Sequence, residues 1–252
     1  MNFEQESLDI LKIYNKDDKK GKSVYITSDE DKLKNPLKEI KLKSNETINL
    51  IPPKKRERSV LYITGQSGSG KSYFAGQYIN EYKKQYPKRK CYLFSSLSDD
   101  KSLDANKNIN RVPLSDKFLN TSFTIEDFKN TLLIFDDIDV IKNKVLKNKL
   151  FGILENVLQT GRHQNTDVIY TSHVPCAGKD TKIILMEATS VTIFPKTLGA
   201  RTIKYLLEQY FGLDKDQVKK LKKLKTRPVT IIKSYPNVIL YEGGCYINEV
   251  SD

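Results

Sequence analysis

Eight consecutive residues constrain the fold of this chain more tightly than anything else in it. Gly65-Gln66-Ser67-Gly68-Ser69-Gly70-Lys71-Ser72 fits the pattern G-x-x-x-x-G-K-[ST] without deviation. A buried-type strand, Val60–Thr64, leads into it. A helix pattern follows, with Phe74, Tyr78 and Tyr82 on one face and Pro87 as its stop. Strand, glycine-rich turn and helix in that order make a phosphate-binding loop. Gly68 and Gly70 let the backbone curl so that successive N–H groups face phosphate oxygens, and the helix turns its positive end to the same anion. The candidate nucleotide-binding residues are Gly65, Gln66, Ser67, Gly68, Ser69, Gly70, Lys71, Ser72 and Tyr73. Lys71 is expected to reach the β- and γ-phosphates of ATP, and Ser72 to ligate Mg²⁺.

A second constraint lies downstream. Leu132–Phe135 is an apolar strand that ends on Asp136-Asp137. In an open α/β sheet, ligands bind at the carboxyl ends of strands. A carboxylate buried there needs a partner, because burial alone is costly. Mg²⁺ shared with Ser72 and the nucleotide supplies one, which assigns Asp136 to the metal shell. Asp137 is then the candidate that orients and deprotonates the attacking water. A further strand, Cys91–Phe94, separates the loop from this acidic strand along the chain, and the acid is doubled. Both features point to the RecA-like, additional-strand class of P-loop NTPases.

The remaining pattern agrees with an α/β fold, a mostly parallel central sheet flanked by helices. A long apolar stripe over 144–160 predicts a helix, with Gly161 placed for its C-terminal cap. Strands are expected at 168–171, 190–194, 229–233 and 238–241, and helices at 179–187, 200–211 and 214–225. The stretch 98–113 reads as polar and irregular. Residues 1–58 read as an N-terminal extension, with short strands at 23–27 and 47–51 and a linker at 52–58. Residues 59–252 read as the ATPase domain.

Composition limits the alternatives. No apolar run approaches the roughly 20 residues of a bilayer span, and the acidic start does not resemble a secretory signal. Three scattered cysteines exclude a disulfide framework and a paired-cysteine zinc site. With 43 Lys and Arg against 31 Asp and Glu the net charge is +12. Lysine-rich codon bias explains that surplus as well as a polyanion-binding face does.

Beyond the two motifs, Ser172 and His173 end the strand over 168–171, where a polar side chain would sense the γ-phosphate. Neighbours on a strand point to opposite faces, so one of the two is expected to face the nucleotide; His173 is the candidate. Arg162 is the candidate for stabilising transition-state charge, or else a helix-terminal arginine complementing the dipole. Arg201 is its rival. The sequence leaves open whether either acts within its own chain.

These segments in order resemble a known family. Gly65–Ser72, Leu132–Asp139, Thr160-Gly161-Arg162-His163-Gln164-Asn165, Asp167–His173 and Glu187–Pro195 together look like a poxvirus-type viral genome-packaging ATPase. That family lies in the FtsK–HerA superfamily of P-loop NTPases, found in large DNA viruses and virophages. The resemblance spans about residues 59–212. It implies a homo-oligomeric ring, hexamer or pentamer, that hydrolyses ATP to drive double-stranded DNA into a capsid. It also implies capsid proteins as partners and a place in the host-cell cytoplasm, the virus factory or the virion. Two departures stand out: Asp137 replaces the Glu common in the superfamily, and Ser172-His173 stands where bacterial pumps tend to carry Gln.

For DNA contact, Lys215 to Arg227 carries seven positive charges outside an apolar face of Val218, Leu221 and Leu224. That segment is either a phosphate-contacting helix or a solvated one. Two competing readings of the whole chain remain open, a P-loop kinase of a nucleoside or small molecule and a nucleotide-gated, non-catalytic assembly protein.

Overall fold

The computed structural model describes residues 9–15, 18–25, 37–51, 58–176, 178–234 and 236–248. Four strands come first: β1 (Asp9–Asn15), β2 (Asp18–Tyr25), β3 (Leu37–Lys41) and β4 (Glu46–Ile48). From β5 (Val60–Thr64) onward strands and helices alternate: α1 (Lys71–Gln85), β6 (Lys90–Ser95), α2 (Lys101–Asp104), β7 (Ile109–Arg111), α3 (Asp116–Asn120), β8 (Thr131–Asp136), α4 (Lys144–Thr160) and β9 (Asp167–Ser172). Then follow α5 (Lys179–Glu187), β10 (Ser190–Ile193), α6 (Ala200–Tyr205), α7 (Lys215–Lys223), β11 (Val229–Ile232), β12 (Asn237–Tyr241) and β13 (Gly244–Asn248).

Ten strands form one sheet in the order β3-β13-β12-β11-β10-β5-β9-β8-β6-β7. All neighbours from β10 to β7 run parallel, and β11, β12, β13 and β3 extend the sheet antiparallel. The expected α/β architecture is therefore present, and β9 lies between the loop strand β5 and the acidic strand β8. That inserted strand defines the additional-strand class in space.

Parallel strands buried on both faces alternate their apolar residues between two layers. Val60 and Tyr62 pack with Leu133, Phe135, Val168 and Tyr170 beneath α4 to α7. Leu61 and Ile63 pack with Leu132, Ile134 and Ile169 beneath α1. In α4 the buried stripe is Leu150, Leu154, Val157 and Leu158. Its first turn is capped by the Asn143 side chain, which accepts from the Leu146 N–H at 3.1 Å.

Several elements differ from the sequence expectation. Gly161 caps α4 where expected, its N–H donating to the Val157 carbonyl, but at φ −63° and not in the left-handed form, and a tight 3₁₀ turn, Gly161–Gln164, carries the chain on to Asn165 at φ 52°. A Cβ there would lie 3.1 Å from the Arg58 guanidinium and 3.2 Å from the Val157 side chain, close enough that both would have to shift slightly. Arg58 donates to the carbonyls of Val157 and Leu158 and so closes α4 itself. The stretch 98–113 holds α2 and β7, and the helix over 200–211 continues past α6 as one wide π turn, Leu206–Tyr210.

At the amino end, β1, β2 and β4 make a small separate sheet, while β3 forms the edge of the main one. The expected strand at 23–27 is the end of β2, with residues 26 and 27 outside the described residues. Residues 52–57 of the expected linker also lie outside them.

The amino-terminal ends of β5 and β9 are locked by one carboxylate. Asp167 accepts from the Ser59 N–H, the Tyr82 hydroxyl and the Arg89 guanidinium, each at 2.6 Å. Removing one partner of a buried charge network typically costs about 3–5 kcal/mol. Asp167→Ala is expected to lose about 3 kcal/mol of stability at neutral pH, read as a lower urea midpoint. A loss within about 0.5 kcal/mol, the range of ordinary surface substitutions, would contradict this role.

Candidate functional site

The loop, the acidic pair and the sensor strand meet at the carboxyl edge of the parallel strands. Register brings them there: Thr64 pairs with Ser172 across β5 and β9, and Asp136 pairs with Thr171 across β8 and β9. The Gly65 N–H donates to the Ser172 carbonyl at 3.2 Å, which starts the loop directly beside β9. Gly68 and Gly70 take φ of 75° and 109°, left-handed values that favour glycine. Phe74 N–H is the first helical donor, to the Gly70 carbonyl at 2.9 Å. The N–H groups of Lys71, Ser72 and Tyr73 thus belong to the first turn of α1, where backbone donors have no intrahelical acceptor. The Ser69 hydroxyl is buried with no partner among the described residues.

Lys71 is 6% exposed, and its ammonium is held on three sides. Its Nζ donates to the Gly65 carbonyl at 3.1 Å and to His173 Nδ1 at 3.2 Å, and it lies 3.8 Å from Asp137 Oδ2. His173 Nε2 is 2.9 Å from the same Asp137 oxygen. The neutral Nε2–H tautomer satisfies both contacts, with Nδ1 accepting from the ammonium and Nε2–H donating to the carboxylate. Of the two sensor candidates, His173 is the one that faces the loop lysine. Ser172 turns its hydroxyl into a local turn, donating to the Val174 carbonyl at 2.8 Å and accepting from the Val174 N–H at 3.1 Å.

Asp136 is 1% exposed and accepts from Ser95 Oγ at 2.9 Å and Thr171 Oγ1 at 2.8 Å. Burial raises its carboxyl above the ordinary range, and the Asp137 charge adds to this; the two hydroxyls partly oppose the shift. Asp137 sits just past the strand in the left-handed region, at φ 47° and ψ 37°, a conformation Asp tolerates better than most residues. Its N–H donates to Thr171 Oγ1 at 3.0 Å. Ser95 and Thr171 were not among the expected site residues, although each is a hydroxyl at the carboxyl end of a strand flanking the acidic one.

The two arginine candidates lie at opposite edges of the sheet. Arg162 lies in the turn that precedes β9, at the amino edge of the sheet. One six-residue strand, about 20 Å at roughly 3.3 Å per residue, separates it from His173. It therefore does not join the phosphate site of its own chain. Arg201 stands at the start of α6, which follows β10 on the loop side, and it is exposed. Tyr73, in the first turn of α1, is 66% exposed.

Among the described residues no three His, Cys, Asp or Glu side chains form a metal cage. The oxygen donors at this edge, the Ser72 hydroxyl and the Asp136 carboxylate, suit Mg²⁺, which takes one or two protein oxygens and completes its shell with phosphate and water. Among the same residues no helix is long and apolar enough to cross a membrane.

A glycine loop and an acidic pair on one sheet edge, with a strand inserted between them, define a P-loop NTPase of the RecA-like, additional-strand class. The pCW3 conjugation coupling protein TcpA, solved as a monomer with ATPγS, is similar at a TM-score of 0.51 and 10% identity, over 85% of this chain and 66% of that one. B204, the DNA-packaging ATPase of Sulfolobus Turreted Icosahedral Virus, gives a TM-score of 0.49 at 16% identity, over 77% of this chain and 98% of that one. No family profile matches the chain. The uncharacterized protein V3 of Sputnik virophage is 43% identical over 228 residues, 89% of each protein, and the chain belongs to its family.

The raised Asp136 carboxyl has a thermal signature. A group that binds its proton more tightly when folded contributes stability at low pH, and this is lost as pH rises from the unfolded to the folded pKa. At neutral pH without metal this carboxyl is therefore less favourable in the fold than in the unfolded chain. Asp136→Asn is expected to raise Tm in EDTA at pH 7, each 1 kcal/mol gained appearing as about 2–4 °C in a domain of this size. The gain should fade below the ordinary carboxylate range. A lower Tm across the whole pH range would show that the charge is compensated.

Proposed function

We propose that this chain is the ATP-hydrolysing motor that moves double-stranded viral DNA into a capsid. The observation that carries the reading is the contact of one lysine, Lys71, with both His173 and Asp137. ATP binding draws Lys71 from that contact to the β- and γ-phosphates, while the loop N–H groups take the remaining phosphate oxygens. Asp137 is then free to accept a proton from the attacking water, held in place by the hydrogen bond from His173. Ser72 and Asp136 hold Mg²⁺, which when bound neutralises charge developing on the phosphates.

The other parts of the proposal have separate supports. A virophage relative at 43% identity favours a viral role. Since Arg162 is remote from its own site, transition-state charge is met by an arginine from a neighbouring copy in a ring, with Arg162 and Arg201 as the candidates. DNA phosphates meet the basic helix α7, whose Val218 and Leu221 are buried while Lys215, Lys219, Lys220, Lys222 and Lys223 are exposed. At its far end Lys196 donates to the Lys225 carbonyl at 3.2 Å, which ties this segment to the loop edge of β10.

Steady-state ATPase assays with and without long double-stranded DNA test the reading. The wild type should turn over ATP faster with DNA, and Lys71→Ala should lose about 10²–10³-fold, as expected when a charge-stabilising donor is removed. DNA without effect, together with phosphorylation of an added nucleoside, would replace the motor by a kinase. ATP binding without turnover would leave an assembly protein.

DNA affinity supplies a further test. Each of Lys219→Ala, Lys222→Ala and Lys223→Ala should reduce the slope of log K against log salt by about 0.9 for every DNA phosphate no longer neutralised. A slope unchanged in the triple variant would remove α7 from the DNA face.

A further inference from the structure

One side chain at this edge touches both carboxylates. Thr171 is fully buried at the end of β9, and its Oγ1 lies 2.8 Å from Asp136 Oδ1 and 3.2 Å from Asp137 Oδ1. The same oxygen accepts from the Asp137 N–H at 3.0 Å. A hydroxyl has one proton and two lone pairs. One lone pair is used by the Asp137 N–H, so the single proton serves one carboxylate at a time. In the geometry seen here the shorter contact is to Asp136. Asp136 has a second donor in Ser95 at 2.9 Å, so it keeps one hydrogen bond when the Thr171 proton turns away.

We infer that Thr171 is a positioning residue whose one hydroxyl proton, shared between Asp136 and Asp137, couples cation binding at the first to the orientation of the second. The inference rests on the roles given to those carboxylates under the proposed function. Charge drawn off Asp136 by a bound cation makes it a weaker acceptor, and the proton turns to Asp137 Oδ1. That bond and the backbone bond to the same hydroxyl then fix the Asp137 carboxylate, whose other oxygen is bonded to His173. The left-handed backbone at Asp137 is held by the same hydroxyl, so backbone and side chain are set together. Ser in place of Thr preserves this arrangement, whereas Val keeps the shape and removes the proton and lone pairs.

Two measurements on the full chain test it. The first is calorimetry of ATP binding in EDTA and in Mg²⁺, on wild type, Thr171→Val and Thr171→Ser. Affinity in EDTA should be the same for all three, because the loop and Lys71 do not touch Thr171. The gain in affinity on adding Mg²⁺ should shrink about 10–100-fold in the Val variant, the usual effect of removing a group that holds a metal ligand. In the Ser variant the gain should return.

The second is turnover. Thr171→Val should lower kcat about 10–100-fold with KM little changed, and should add almost nothing in an Asp137→Asn background. An undiminished Mg²⁺ gain in the Val variant, an EDTA affinity that falls with it, or losses that multiply with Asp137→Asn would overturn the inference. A wild type without turnover would count against hydrolysis itself, and the calorimetric gain would still decide Thr171.

Discussion

The insertion of β9 between β5 and β8 is the constraint on which the site depends. Parallel pairing on both sides fixes its register, with Ser172 opposite Thr64 and Thr171 opposite Asp136. A slip of one residue on either side would turn every side chain to the opposite face of the sheet. It would exchange Thr171 with its neighbours beneath the carboxylates and withdraw His173 from Lys71. The apolar layers on both faces oppose such a slip, since Val168 and Tyr170 belong to one core and Ile169 to the other.

The two ends of these strands are built on different terms. At the amino edge Asp167 has three donors at 2.6 Å, although burial raises its carboxyl too, and Arg89 also lies 4.2 Å from the Tyr86 ring centroid. At the carboxyl edge charges are crowded and incompletely satisfied. Asp136 is pushed towards its neutral form, Asp137 occupies a left-handed conformation, and Asp139 Oδ1 and Ser69 Oγ are buried without partners among the described residues. Two adjacent carboxylates beside a glycine loop and a buried lysine mark this as the edge where a ligand completes the structure. A triphosphate with a divalent cation has the charge pattern to do so: anion for the loop and Lys71, cation for Asp136.

Much of this was legible in the sequence because the signals were local. The loop needs glycines at fixed places, the acidic strand shows as an apolar run ending in Asp136-Asp137, and α4 shows as an unbroken stripe. What was not legible depended on pairing. Strands β7 and β13 are short or carry polar and small residues, so their strand character comes from the neighbours they pair with. The two roles open to Arg162 could not be told apart in the sequence, and only the direction of β9 shows that it lies at the edge remote from its own loop. Gly161 reads as a cap by position and is one, but the Arg58 guanidinium that closes the helix beside it comes from a distant segment. Thr171 and Ser95 are ordinary strand residues until register sets them against Asp136.

Hydrolysis at this edge turns on a single exchange of partners by Lys71. A crystal structure with a non-hydrolysable ATP analogue and Mg²⁺ tests that exchange most directly. Lys71 Nζ is expected to leave His173 Nδ1 and the Gly65 carbonyl for oxygens of the β- and γ-phosphates, with the cation beside Ser72 and Asp136. Nucleotide bound elsewhere, with Lys71 still hydrogen-bonded to His173, would contradict it.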